Sequence, residues 1–234
     1  MSKITYKLSR HPGEDNIFVC TMKDIYDLSM TFMRVQEYYE SPFKQIRGKH
    51  FNFLEFMKLY SLKFGDGAFT YPSDWAGFNV PGKCVVELYK TIYDDYNVYD
   101  SVMTKIAIEI EREISGKRNI SLNKSEDVGN YYLIGMQEGD QGALDHELCH
   151  AKFALNKKYK KKALENLKKV PVPILKKIEK YLLSIGYCKK TLKDEFQAYI
   201  AVDYNFLVDC IKFTKKEEKK LKEIHLIMNE EFKK

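Results

Sequence analysis

Five consecutive residues, His146-Glu147-Leu148-Cys149-His150, constrain the C-terminal half of this chain more than any other feature. On a helix, positions i and i+4 lie about 40° apart, so the two imidazoles project from one face. The flanks agree with a helix. With Leu144 set at zero and about 100° added per residue, Leu148, Ala151 and Leu155 fall within about 40° of it, while His146, Phe153 and His150 fall near 180° to 240°. One side is therefore suited to a core and the other to a cleft. The stretch Gly139-Asp140-Gln141-Gly142 supplies a turn ahead of the helix, with Asp140 as the candidate N-cap.

Two imidazoles on one face can reach a single tetrahedral zinc ion, and the glutamate between them is offset enough to hold a water in place of the metal. A zinc site that does chemistry also needs a third protein ligand and an open fourth position. Glu195 is the candidate. In the segment from Thr191 to Asp203, the residues Leu192, Phe196, Tyr199, Val202 and Phe206 form one apolar arc, and Glu195 falls inside it. A carboxylate aimed into a core is costly unless it is paired or bound to a metal. Asp194 is expected to point away from that arc. Asp203 shares it two turns on and suits a hydrogen bond to a ligating imidazole. The competing role for Glu195 is a salt bridge to a lysine, and His225, on the apolar side of the last helix, is the fallback ligand.

From His146 to Asp203 the chain resembles the gluzincin branch of the zincin metallopeptidases, in which an H-E-x-x-H helix is followed by a glutamate ligand from a later helix. The resemblance implies His146, His150 and Glu195 as ligands of Zn(2+) and Glu147 as general base. It departs at two positions: Asp194 stands where many members carry Asn, and Tyr199 where an Asp often supports the ligands. The activity implied is zinc-dependent hydrolysis of a peptide or protein substrate, through a water on the metal activated by Glu147. Tyr131, Tyr132, Tyr159 and Tyr199 are candidates for stabilising the oxyanion or supporting the ligands. The strand ending at Met136 resembles the zincin edge strand that aligns an extended substrate.

The alternative reading is a non-catalytic metal-binding or nucleic-acid-binding module with a basic helical surface. From Lys152 to Lys193 there are fourteen Lys against Glu165 and Glu179, although the net charge of the chain is only +6. This basic region, Lys157–Lys193 in its main part, lacks Arg and any nucleic-acid motif, so a solvated helical face is the expectation and nucleic acid the lesser one.

Elsewhere the chain reads as a globular protein of one domain, with a mixed α/β part over about 1–128 and a zinc-binding helical part over about 129–234. The class expected is α+β, mainly helical, with a small N-terminal β element. Strands are expected at Ile4–Leu8 and Asn16–Met22 around a His11-Pro12-Gly13 turn, and at Asn130–Met136. Helices are expected from Lys23 to Tyr39, Asn52 to Phe64, Cys84 to Tyr93 and Asp100 to Ile114, with a strand as the alternative at Ile106–Ile110. Five more should follow: Asp140–Leu155, Lys158–Lys168, Pro173–Ile185, Thr191–Val208 and Lys215–Phe232. Phe69 to Gly82, rich in aromatics and breakers, reads as an ordered loop, either packed on its own rings or walling a cleft. The five cysteines are scattered without a C-x-x-C pair, so they read as reduced thiols. With no signal-like start and no membrane-length apolar run, a cytoplasmic location is expected.

Overall fold

A computed structural model describes residues 4–91, 95–122 and 128–234. The chain is mixed α/β and mostly helical, and it groups into two compact units, 1–140 and 141–234.

The N-terminal unit is built on a four-stranded sheet of β1 (Lys7–Arg10), β2 (Ile17–Met22), β3 (Gly77–Pro81) and β4 (Tyr132–Gln137), in the spatial order β1-β2-β4-β3. The expected hairpin is present, since β1 pairs antiparallel with β2 and places Lys7 opposite Thr21. Its second strand then runs parallel to β4, with Ile17 opposite Tyr132. Strands paired on both sides read as continuous apolar runs, and Ile17-Phe18-Val19-Cys20 and Tyr132-Leu133-Ile134 are such runs. Two expectations change here. The strand ending near Met136 is not an edge strand, because β2 and β3 occupy both of its sides. Nor is the 69–82 stretch wholly a loop, because it supplies the short helix α3 (Tyr71–Asp74) and the strand β3. Asn79-Val80 lies between Pro72 and Pro81, breakers that masked a short run of strand.

Between the strands run α1 (Ile25–Glu40), α2 (Phe53–Lys63), α4 (Gly82–Tyr89) and α5 (Val98–Ser115). Three of them, α1, α2 and α5, begin at side-chain caps. Asp24 caps α1 by accepting from the Tyr26 and Asp27 amides, Asn52 caps α2, and Asn97 with Asp100 forms a capping box on α5. The strand alternative at Ile106–Ile110 fails because this run continues the apolar face begun by Val102 and Met103. Expected helix residues 92 and 93 lie outside the described residues, as do 123–127 of the connection before β4. Helix α1 packs on the sheet, and Gly135 makes that approach possible: a Cβ there would sit 2.5 Å from the Phe32 ring. The aromatic stretch packs into the core. Tyr71 is fully buried against Phe56, Tyr60, Phe69 and Phe78, and the Trp75 ring lies 6.1 Å from it.

The C-terminal unit is helical throughout: α6 (Gln141–Leu155), α7 (Lys157–Leu167), α8 (Val172–Ser184), α9 (Leu192–Ala201), α10 (Tyr204–Cys210) and α11 (Lys215–Phe232). One long helix had been expected over Thr191–Val208, but it breaks at Val202–Asp203. Apolar spacing continues across the break, so periodicity alone cannot register it. Helix α6 packs against α7 and α9, and α9 against α11. Among the described residues, no helix is long and apolar enough to cross a membrane.

Candidate metal centre

His146 and His150 stand one turn apart on α6, with Leu148 and Ala151 buried on its opposite side. Their Nε2 atoms lie 3.1 Å apart. From α9, Glu195 brings its Oε2 to 3.6 Å from the His150 Nε2 and 3.8 Å from the His146 Nε2. The site is interior: Glu195 and His150 are 2% exposed, and Glu147 is 6% exposed.

The other nitrogen of each ring decides what faces this space. His146 Nδ1 is 2.5 Å from Asp203 Oδ2, and His150 Nδ1 is 2.8 Å from Asp194 Oδ1. An ionised carboxylate only accepts, so both Nδ1 atoms carry a hydrogen, and each ring, in the neutral form that a metal would bind, turns its Nε2 lone pair inward. Three electron-rich atoms thus meet in a buried space. Glu195 Oε2 accepts no hydrogen bond from any described residue. Such a convergence is unfavourable without a cation. The three side chains form a group that could hold a metal ion, each offering one ligand atom and all within 4.8 Å of one another.

The surrounding charge favours a cation too. Burial works against charge on His146, but Asp203 and Glu195 beside it raise its pKa to about 9. His150, also opposed by burial, is held well above the ordinary histidine value by Asp194 and Glu195. Cys149, between them in sequence, is fully buried, and desolvation pushes its thiol well above the usual range, so it stays neutral and is no thiolate ligand.

Several candidates find other positions. Asp194 does not point away: one helical step from Glu195, it flanks the same packed face and accepts from His150. Asp203 reaches His146 as expected, but from the break between α9 and α10. An aspartate side chain that competes with the backbone is at home in such a break. The Tyr199 ring lies edge-on to His146 at 4.8 Å, and its hydroxyl is 3.0 Å from that of Tyr187. Tyr187 had not been singled out; its position just past Gly186 gave no periodic signal. Tyr159 gives its hydroxyl to Gln197 Oε1 at 2.7 Å. Tyr131 and Tyr132 belong to the N-terminal unit, where both are buried, and Tyr132 donates to Asn79 Oδ1 at 2.6 Å. The Tyr131 hydroxyl is buried with no hydrogen-bond partner among the described residues. His225 is not a member of the cluster, because its Nδ1 lies 2.8 Å from the Ile200 carbonyl and its ring stacks on Tyr204.

Comparisons of the chain with protein-family models, with curated proteins and with solved structures find no match.

Proposed function

We propose that this protein is a zinc-dependent hydrolase acting on the amide bonds of peptides, with His146, His150 and Glu195 as ligands and Glu147 as general base. The observation that carries the reading is the buried Glu195 oxygen, without a hydrogen-bond donor, facing two imidazole lone pairs beside a glutamate in the H-E-x-x-H position.

The residues fit zinc in kind and in spacing. Two nitrogens and one carboxylate oxygen suit zinc better than calcium or magnesium, which prefer all-oxygen shells. Ligands at about 2.0–2.1 Å in a tetrahedron stand about 3.3–3.4 Å from one another, and the separations here, 3.1, 3.6 and 3.8 Å, bracket that value. A zinc ion so held supplies Lewis acidity, bringing a water's pKa toward about 7 and polarising a carbonyl. The protein's own part is narrower. Asp194 and Asp203 keep the imidazoles in the tautomer that presents Nε2. Glu147 takes the water's proton and passes it to the leaving amine, so the carboxylate ends as it began.

A purely structural metal site would close the fourth position with a protein atom. Among the described residues the cluster contains three ligand residues and no fourth His, Cys, Asp or Glu, which favours chemistry over scaffolding. The test is Glu147→Gln in the full chain, assayed on a quenched peptide library. It should retain about one zinc per chain and lose peptide hydrolysis; undiminished turnover would remove Glu147 from the mechanism, and absence of zinc from the wild type would remove the metal.

A further inference from the structure

A hydrogen-bonded chain leads away from His150, and it differs from the support given to His146. Asp194 Oδ1 accepts from His150 and also, at 3.0 Å, from the Gln197 amide nitrogen. Gln197 is fully buried, and its amide oxygen accepts from the Tyr159 hydroxyl. Asp203, by contrast, is 28% exposed and meets His146 alone among the described contacts.

The direction of the chain is fixed at its carboxylate end. A carboxylate can only accept, so the end of the amide that faces Asp194 must be its NH₂. The Tyr159 hydroxyl, able to donate or accept, then donates to the amide oxygen. A reversed amide would set oxygen against the Asp194 oxygen in a buried place, which costs about 1–3 kcal/mol. A carboxylate held on both sides cannot swing toward water, although Asp194 is 23% exposed and has water within reach.

We infer that Gln197 and Tyr159 are positioning residues for the metal ligand His150: acting through Asp194, they fix the tautomer and aim of its ring. This rests on the zinc reading above and extends it two residues beyond the carboxylates that touch the imidazoles. Neither side chain is placed on the metal or on substrate.

The test is Zn(2+) affinity, measured on the full chain by competition with a chromogenic chelator, for Gln197→Met and Tyr159→Phe in the wild-type and Asp194→Ala backgrounds. Thermal unfolding of the metal-free proteins runs alongside. In the wild-type background Gln197→Met should weaken zinc binding by roughly tenfold or more, within the range known for groups behind metal ligands, and Tyr159→Phe by roughly threefold. In the Asp194→Ala background both effects should shrink to within about twofold, because a residue that works only through Asp194 has nothing left to act on. A general packing role would give the same loss in both backgrounds, and that result, or unchanged affinity in the wild-type background, overturns the proposal. If Gln197→Met does not fold, Tyr159→Phe decides by the same cycle. A wild type that binds no zinc overturns the metal reading and this inference with it, whereas zinc binding indifferent to Gln197 and Tyr159 overturns this inference alone.

Discussion

Both units bury charge, but they settle it differently. In the N-terminal unit the Arg34 guanidinium, 1% exposed, lies 3.1 Å from carboxylate oxygens of both Asp95 and Asp100, donates to the Phe51 and Asp95 carbonyls, and stacks over the Phe51 and Phe53 rings. In that cluster both signs come from the chain itself. In the C-terminal unit Asp194, Glu195 and Asp203 bear on two imidazoles, and their ion pairs among the described residues are all with histidine. The lesson is that a buried cluster complete in itself is architecture, whereas carboxylates gathered on imidazoles form a group that could take up a cation.

The sharpest way to break this contrast is Arg34→Met. It strands the buried Asp100 and the partly buried Asp95, so urea unfolding should show a loss of about 3–5 kcal/mol that no added metal restores; a loss below about 1 kcal/mol would mean that the Arg34 cluster is not what closes that core. Glu195→Gln should behave in the opposite way. Removing an unpartnered buried carboxylate should leave the metal-free protein at least as stable, while zinc affinity falls by about a hundredfold or more and the zinc-induced rise in Tm disappears. An unchanged affinity would move the third ligand elsewhere.

The third prediction concerns pH in the N-terminal unit. Burial raises the Glu37 carboxyl from 4.5 to about 7, only partly offset by hydrogen bonds from Ser41 and Tyr71. A carboxyl raised on folding binds its proton more tightly in the native state. Its contribution is fully present below about pH 4.5 and is lost as pH rises through about 7. Glu37→Gln should therefore be the more stable protein at pH 8, by about 2 kcal/mol, and lose that advantage at pH 4; a difference that does not vary with pH would refute the assignment. The smallest effect is expected at Asp203→Asn, which keeps a hydrogen-bond acceptor for His146 but removes the charge. Zinc affinity should fall about tenfold, with metal-free stability changed by less than about 1 kcal/mol.

Much of the helical half was legible because its signals are local. The spacing in His146-Glu147-Leu148-Cys149-His150 and the apolar stripe opposite it place α6, and Glu195 stood out as a carboxylate on an otherwise apolar arc. What stayed hidden depends on partners distant in sequence. A helical wheel turns Asp194 away from the site because it describes one helix and not the neighbour packed against it. Its link to Gln197 follows an i, i+3 spacing that was visible in principle, with a polar residue one turn on from a carboxylate. The β3 strand was hidden by the breakers around it. The central place of β4 follows from a parallel pairing with β2, more than a hundred residues earlier, for which apolar runs give no partner.

The cysteines of this chain are all free, yet the metal group joins residue 150 of one helix to residue 195 of another. An ion bridging them would close that loop as a covalent cross-link does, restricting the unfolded chain. Such a clasp would ignore reductants and open to chelators, so on the proposed reading the rigidity of the helical unit would follow the supply of free metal.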